Sequence, residues 1–399
     1  MGSVAIIGAG AAGCFAAAVL KRRSTGTSIT IYEDGPRPLV KVSKTGGGRC
    51  NLTNTFEGVT DLSKVYPRGT SLMRRLLKGF GPEDTLRWFS EEGVKLHVEE
   101  GGRVFPDSED AMEIVRTLER ALSGVTVKTG CRLVSLEKSG DVFSMTFNNG
   151  RTERADRVLI ASGGAQKGIP FLRGIPTVES VPSLFSLKID DSDLKALMGS
   201  SATVLLRLGG FSADGPMLIT DWGVSGPAVL KLSSYAARHL AEKGYRENLH
   251  VRWCPKMSEE MLRSFLGPSV MSARKLVSTP PEGLSSRLWA MLVERSGLRE
   301  DIRRGELGRK GLSRLASLLL DDVYPVSGKG PFKEEFVTSG GIDIAAVNPK
   351  TLEAKSFPQL YFAGEVLDID GVTGGYNLQA AWTTGYTAAV AIAEVEKKV

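Results

Sequence analysis

The stretch Val4-Ala5-Ile6-Ile7-Gly8-Ala9-Gly10-Ala11-Ala12-Gly13 decides how this chain is read. Three of its first four residues are β-branched, and a short apolar run bounded by glycine is a buried strand. The glycines recur as Gly8-x-Gly10-x-x-Gly13, and small residues continue as a helix over Ala11–Lys21. In that pattern Gly8 permits a tight turn, Gly10 lets backbone approach a pyrophosphate, and Gly13 lets helix and sheet pack closely. The helix N-terminus then faces the phosphate charge. Ser28–Tyr32 is a second strand, so the opening is one βαβ unit of a doubly wound sheet.

A glycine turn of this kind serves NAD and FAD alike. Glu33 stands twenty residues past Gly13, at the end of the second strand. There a carboxylate accepts hydrogen bonds from an adenosine ribose. The candidate cofactor contacts are therefore Gly8, Gly10, Ala11, Ala12, Gly13 and Glu33, with Asp34 and Lys41 downstream.

Three further blocks carry chemistry. Thr45-Gly46-Gly47-Gly48-Arg49-Cys50-Asn51-Leu52-Thr53-Asn54 is too glycine-rich for core. Its Thr, Arg and Asn donors suit a pyrophosphate or a ring edge, and a plain flexible loop is the alternative. Ser162-Gly163-Gly164 ends an apolar strand, as a chain crossing beside a cofactor would. Gly364-Glu365 follows the strand Leu360–Ala363, and the acid suits ribitol hydroxyls. Gly371 to Gln379 then turns into a helix whose N-terminal amides suit the negative charge at N1 and O2 of a reduced flavin. From this segment Gly364, Glu365, Gly375, Tyr376, Asn377 and Gln379 are expected at the cofactor, and the pairing of acid and helix favours FAD over NAD.

Bulk properties agree with a folded enzyme. The chain has 399 residues, 42% apolar, which allows two or three domains. A formal charge of +6 fits anionic cofactors and substrates, and no basic block is dense enough to favour nucleic acid. Cys14, Cys50, Cys131 and Cys254 are far apart, so neither a thiol–disulfide pair nor a metal site is expected, and a cytoplasmic location is natural. The apolar run Val4–Leu20 lacks a basic leader and is short for a membrane span. His97, His239 and His250 lie outside the motifs and are expected to be structural, as is Cys50, because a disulfide reductase needs a second nearby thiol.

Periodicity adds helices over Leu72–Phe89, broken at Gly79 to Pro82, and over Ala111–Leu122. Val125–Val127, Arg132–Leu136 and Val142–Phe147 read as a three-stranded meander, with Val158–Ile160 returning to the sheet. Short strands follow Pro182, and Met257 to Asp322 is nearly all helical, as a packed insert or a partner-binding module. The expected organisation is α/β: a Rossmann-like FAD-binding domain, 1–182 with 328–399, interrupted by a β-barrel-like domain at 183–256 and a small helical one at 257–327.

These blocks resemble the bacterial and archaeal flavoproteins known as NAD(P)/FAD-dependent oxidoreductases or aminoacetone-oxidase-like proteins, within the two-dinucleotide-binding-domain superfamily. The resemblance spans nearly the whole chain. It rests on Gly8–Gly13, Thr45–Asn54, Gly102-Arg103-Val104-Phe105-Pro106, Ser225-Gly226-Pro227-Ala228, Thr338-Ser339-Gly340-Gly341 and Gly364–Gln379. It implies a FAD domain interrupted by barrel-like and helical domains. Two departures stand out. Thr220-Asp221-Trp222-Gly223 replaces a usual Thr-His pair, and Ala165–Val181 compresses a longer loop, so substrate access is expected to differ.

The expected activity is FAD-dependent oxidation–reduction, with hydride passing between flavin N5 and a small organic substrate of the amine or unsaturated-ketone class. No second strand-linked glycine fingerprint is present, so the electron partner is oxygen or a transiently bound NAD(P)H. The rival is an RNA-directed or non-catalytic flavin-binding protein. No catalytic side chain and no oligomeric state are legible.

Overall fold

The computed structural model describes residues 2–164, 174–267, 273–331 and 337–396. The compressed loop expected after Gly164 falls largely outside them. The chain divides into two compact units, Met1–Val181 with Val337–Val399, and Pro182–Phe336.

The first unit is built on a parallel sheet in the order Leu360–Phe362, Arg157–Ile160, Ser3–Ile7, Ser28–Tyr32, Thr126–Lys128. The central strand pairs Val4 with Ile29 on one side and with Arg157 on the other. Helices Ala11–Arg23 and Tyr376–Glu396 share a core with this sheet, in which Phe15 meets Trp88 at 4.8 Å and Trp382 at 5.3 Å between ring centroids. Helix Ala111–Ala121 shows how the sequence dictates its own docking. Its buried positions Ala111, Ile114, Val115 and Leu118 fall on one face. Asp110 caps it by accepting from the Met112 amide at 2.8 Å.

Two sequence expectations change here. Thr126–Lys128 joins the parallel sheet beside Ser28–Tyr32 and is not the first strand of the meander. The meander is Leu133–Ser139, Val142–Phe147 and Thr152–Ala155. Thr-Glu-Arg-Ala has no apolar alternation to announce a strand, and a three-residue strand between turns carries no register signal. A small antiparallel sheet of Thr53–Asn54, Arg103–Pro106 and Leu96–Glu99 supports the glycine-rich block that precedes it.

The second unit is a closed barrel of six strands: Leu187–Ile189, Gly223–Ser225, Phe211–Thr220, Ser201–Leu208, Glu247–Arg252 and Asp322–Lys329. Helices Glu259–Leu266, Ser286–Arg295 and Gly308–Leu320 lie in the connection between its last two strands in sequence and share its core through Leu262, Leu288, Trp289 and Leu315. Barrel and helices are therefore one compact unit. Gly328 and Lys329, expected in the dinucleotide domain, complete the final barrel strand, and the first unit resumes at Val337. Asp221, at the departure from the family pattern, sits exposed in the hairpin before Gly223. Among the described residues no helix is long and apolar enough to cross a membrane.

Candidate functional site

The first unit brings three of the sequence blocks to the ends of its parallel strands. At the Gly8–Gly13 turn the three glycines have separate causes. A side chain at Gly8 would meet the Ala161 carbonyl oxygen at 2.3 Å, and one at Gly13 would meet the Gly8 oxygen at 2.0 Å. Both are glycine because the protein packs on itself there. At Gly10 a Cβ would meet nothing within 4 Å. Gly10 also begins helix Ala11–Arg23 with no side-chain cap and no acid in the first turn, so the helix leaves its first amides to an outside acceptor.

Glu33 buttresses this turn. Its Oε2 accepts from the Ala9 amide at 2.7 Å and its Oε1 from the Gly35 amide at 2.8 Å. Each oxygen keeps a lone pair for a further donor. Asp34 next to it is exposed.

A second cluster joins distant parts of the chain. Lys41 Nζ lies 3.1 Å from Glu365 Oε2, and Glu365 Oε1 accepts from the Thr338 amide at 2.7 Å. Gly164 passes so close that a Cβ would meet Thr338 Oγ1 at 2.3 Å and Glu365 Oε1 at 3.1 Å. Gly163 beside it has φ +78°, and Ser162 is exposed. The Lys41 side chain is exposed, so the pair contributes about 0–1 kcal/mol and acts mainly to orient the carboxylate. Gly364 links this cluster to the first: its Cβ would lie 2.8 Å from Ala12 Cβ, and its amide donates to Thr384 Oγ1 at 2.8 Å.

The third cluster is the triple-glycine block against the C-terminal helix. Gly46, Gly47 and Gly48 all have positive φ. A Cβ at Gly46 would meet the Asn51 nitrogen at 2.7 Å, whereas Gly47 and Gly48 face open space. Thr45 closes its own turn onto the Val42 carbonyl at 2.8 Å. Asn51 donates to the Thr53 carbonyl at 2.9 Å and accepts from the Gly375 amide at 3.1 Å. Asn377 brackets Gly371, accepting from its amide and donating to its carbonyl, both at 2.8 Å.

Several expected contacts point elsewhere. Arg49 is an ion-pair anchor, joined to Glu99 at 2.5 Å and to Glu109, with its guanidinium 4.1 Å from the centre of the Phe105 ring. Gln379 is wholly buried; its Oε1 accepts from Thr53 and Thr85 and its Nε2 donates to Thr383 at 2.9 Å. Burial pushes the Cys50 thiol up to about 12, which keeps it protonated and unreactive. His97 groups with Glu99 and Glu109 within 4.8 Å, but both carboxylates are already engaged, Glu109 by Arg49 and Glu99 by Arg49 and Arg103. Sequence reasoning missed the Arg68–Asp370 pair, in which Nε donates to Oδ1 at 2.6 Å, and the donation from Gly340 to Asp368 at 3.1 Å. Arg68 and Asp370 are 302 residues apart, and no local pattern could have joined them.

An ADP-containing dinucleotide with a flavin ring fits these features. Gly10, at φ −83°, is a glycine that neither packing nor a left-handed backbone explains, and a side chain there would stand at the helix start that such a ligand would approach. The uncapped helix start suits its pyrophosphate.

Comparison with known proteins agrees with this architecture. The family model described as the HI0933-like protein Rossmann domain matches residues 2–391. The 3-dehydro-bile acid delta(4,6)-reductase of Clostridium scindens is 32% identical over 417 residues, covering 99% of this chain and 100% of its own. The ribosomal RNA dihydrouridine synthase of Haemophilus influenzae is 29% identical, covering 97% of each chain, and that of Escherichia coli is 28% identical over 96% of each. Among solved structures, 3-ketosteroid delta1-dehydrogenase from Sterolibacterium denitrificans shares the fold at a TM-score of 0.51 and 13% identity, over 99% of this chain and 100% of that one. Glycine turn, acid-bearing second strand and C-terminal glycine turn thus sit in a sequence matched almost end to end, and the chain belongs to the HI0933-like Rossmann-domain family.

Proposed function

We propose that the chain, an FAD-dependent oxidoreductase, reduces a carbon–carbon double bond conjugated to a carbonyl in a small organic molecule, with electrons from a transiently bound NAD(P)H. The observation that carries the cofactor reading is Gly10, a glycine with no internal cause at an uncapped helix start, next to the Ala9 amide that Glu33 holds. The choice of substrate class is supported by the relatives. One is named for the reduction of delta(4,6) double bonds, and two for making dihydrouridine, which also saturates a double bond beside a carbonyl.

When bound, FAD supplies two-electron chemistry at its N5 position. The amides of Ala11 and Ala12 would hold the pyrophosphate, and Glu33 the ribose. Lys41 and Glu365 would bracket the ribitol, and the amides that open the C-terminal helix would face the N1 and O2 edge. Asn51 takes the Gly375 amide, and Asn377 and Gln379 fix the helix start, so the amides after Gly375 would be the ones to face that edge.

Anaerobic stopped-flow mixing of the purified yellow protein with NADH, NADPH and an amine panel, followed by an unsaturated cyclic ketone or by air, tests the reading. The expected result is bleaching by a pyridine nucleotide and return of colour with the ketone. Bleaching by an amine, reversed only by air, would make the protein an amine oxidase. A protein that purifies colourless and takes up no FAD would end the proposal.

A second reading takes the double bond to be that of a uridine in RNA. Two relatives named for rRNA and a net charge of +6 favour it. Retention on a nucleic-acid column that fades steeply with salt, with reoxidation by RNA and not by ketones, would move the assignment there.

A further inference from the structure

Between Gly364 and Gln379 the polar side chains are almost all engaged inside the protein. Glu365 is held by Lys41 and the Thr338 amide, Asp368 by Gly340, Asp370 by Arg68, Asn377 by Gly371, and Gln379 by three threonines. Tyr376 is different. Its side chain is fixed and only 7% exposed, with Phe56 edge-on at 5.0 Å and Tyr66 at 6.0 Å. Two glycines of the turn make room for it: a Cβ at Gly371 would meet Tyr376 Cβ at 2.8 Å, and one at Gly374 would meet Tyr376 Cε2 at 3.2 Å. Yet its hydroxyl has no hydrogen-bond partner among the described residues, and it is not one of the atoms sealed in the core. The neighbouring Tyr66 is the opposite case, wholly buried and donating to the Tyr376 carbonyl at 2.8 Å.

A ring held this firmly with a free hydroxyl at the start of the C-terminal helix is placed to act on whatever lies over that helix start. Saturation of a conjugated double bond needs a hydride at the carbon β to the carbonyl and a proton at the carbon α to it. We propose that the Tyr376 hydroxyl supplies that proton, an inference that rests on the reading of function given above. FAD, when bound and reduced, would supply the hydride for the new C–H bond at the β carbon and would be left oxidised. The π pair moves to the α carbon and takes the proton from the Tyr376 O–H. The tyrosinate left behind is reprotonated by water, and NAD(P)H restores the reduced flavin. Burial raises the Tyr376 pKa, so the hydroxyl carries its proton throughout the neutral range.

Tyr376→Phe in the FAD-loaded protein tests this. The variant is expected to keep its FAD, to be bleached by NADPH at the wild-type rate, and to be reoxidised by oxygen as before. Reoxidation by the unsaturated ketone should slow by about 10²–10⁴-fold, the usual size of a general-acid contribution. Calorimetry with the saturated ketone, which does not react, should show affinity within about twofold of wild type, because the α carbon that faces the hydroxyl accepts no hydrogen bond. Ketone reoxidation at the wild-type rate would overturn the proposal while leaving the reductase reading intact. Loss of FAD from the variant would assign Tyr376 to the cofactor or the fold and overturn it as well. A wild-type protein that no ketone reoxidises would overturn both.

Discussion

The two glycine turns of the first unit look alike in sequence and differ in what makes them glycine. In the N-terminal turn, Gly8 and Gly13 answer to internal packing while Gly10 answers to nothing inside the protein. In the C-terminal turn every position is internally determined. Gly371 and Gly374 make way for the Tyr376 ring, and a Cβ at Gly375 would meet the Thr53 oxygen at 2.3 Å. The first turn therefore presents a surface shaped for a ligand. The second is a clamp that sets the angle of a helix and lets backbone amides do the presenting.

The sharpest break of this contrast is Gly375→Ala. With φ at +93° and the Thr53 carbonyl in the way, the substitution should destabilise the protein by about 3–4 kcal/mol, read from the denaturant midpoint of the FAD-free protein. Gln379→Leu comes next. It removes three buried hydrogen bonds, each threonine keeping a backbone carbonyl partner, and should cost about 2–3 kcal/mol, with FAD affinity changed by less than about twofold because the wholly buried side chain braces the clamp. Glu33→Ala removes two charge-assisted amide contacts, which is about 1–2 kcal/mol of stability, and should also weaken FAD retention by at least about tenfold in equilibrium dialysis. Gly10→Ala inverts the pattern. Stability of the FAD-free protein should stay within about 0.5 kcal/mol while FAD retention falls, since only the ligand competes for that space. Equal losses of stability at Gly10 and Gly375 would erase the contrast. Smallest of all, Cys50 in the native protein should resist iodoacetamide at pH 8, because its thiol titrates near 12 and the thiolate is the nucleophile.

The strand, turn, helix and strand at residues 3–32 were legible because glycine spacing and β-branched runs are local signals. So was Glu33, whose place at a strand end follows from the length of the helix before it. Arg49 was not. Its donors suit a phosphate equally well, and only Glu99 and Glu109, brought near by the sheet around Phe105, decide where they go. Asn51, Asn377 and Gln379 share this ambiguity: an amide in a glycine-rich block reads as a ligand contact, and the fold adds Thr53, Gly371 and Thr85 as internal partners. Polar residue types announce that something is bound, and tertiary structure decides whether it is a ligand or the protein itself.

Thr53 and Gln379 lie 326 residues apart in the chain and touch in the core of the site, and Gly385 has no room for a side chain because the Ala12 carbonyl would stand 2.8 Å away. A ribosome makes the N-terminal turn early and the helix that completes the cradle late. Cofactor loading thus waits until the helix that begins at Tyr376 has been made, and any chain released before it carries a glycine turn that has nothing to close it.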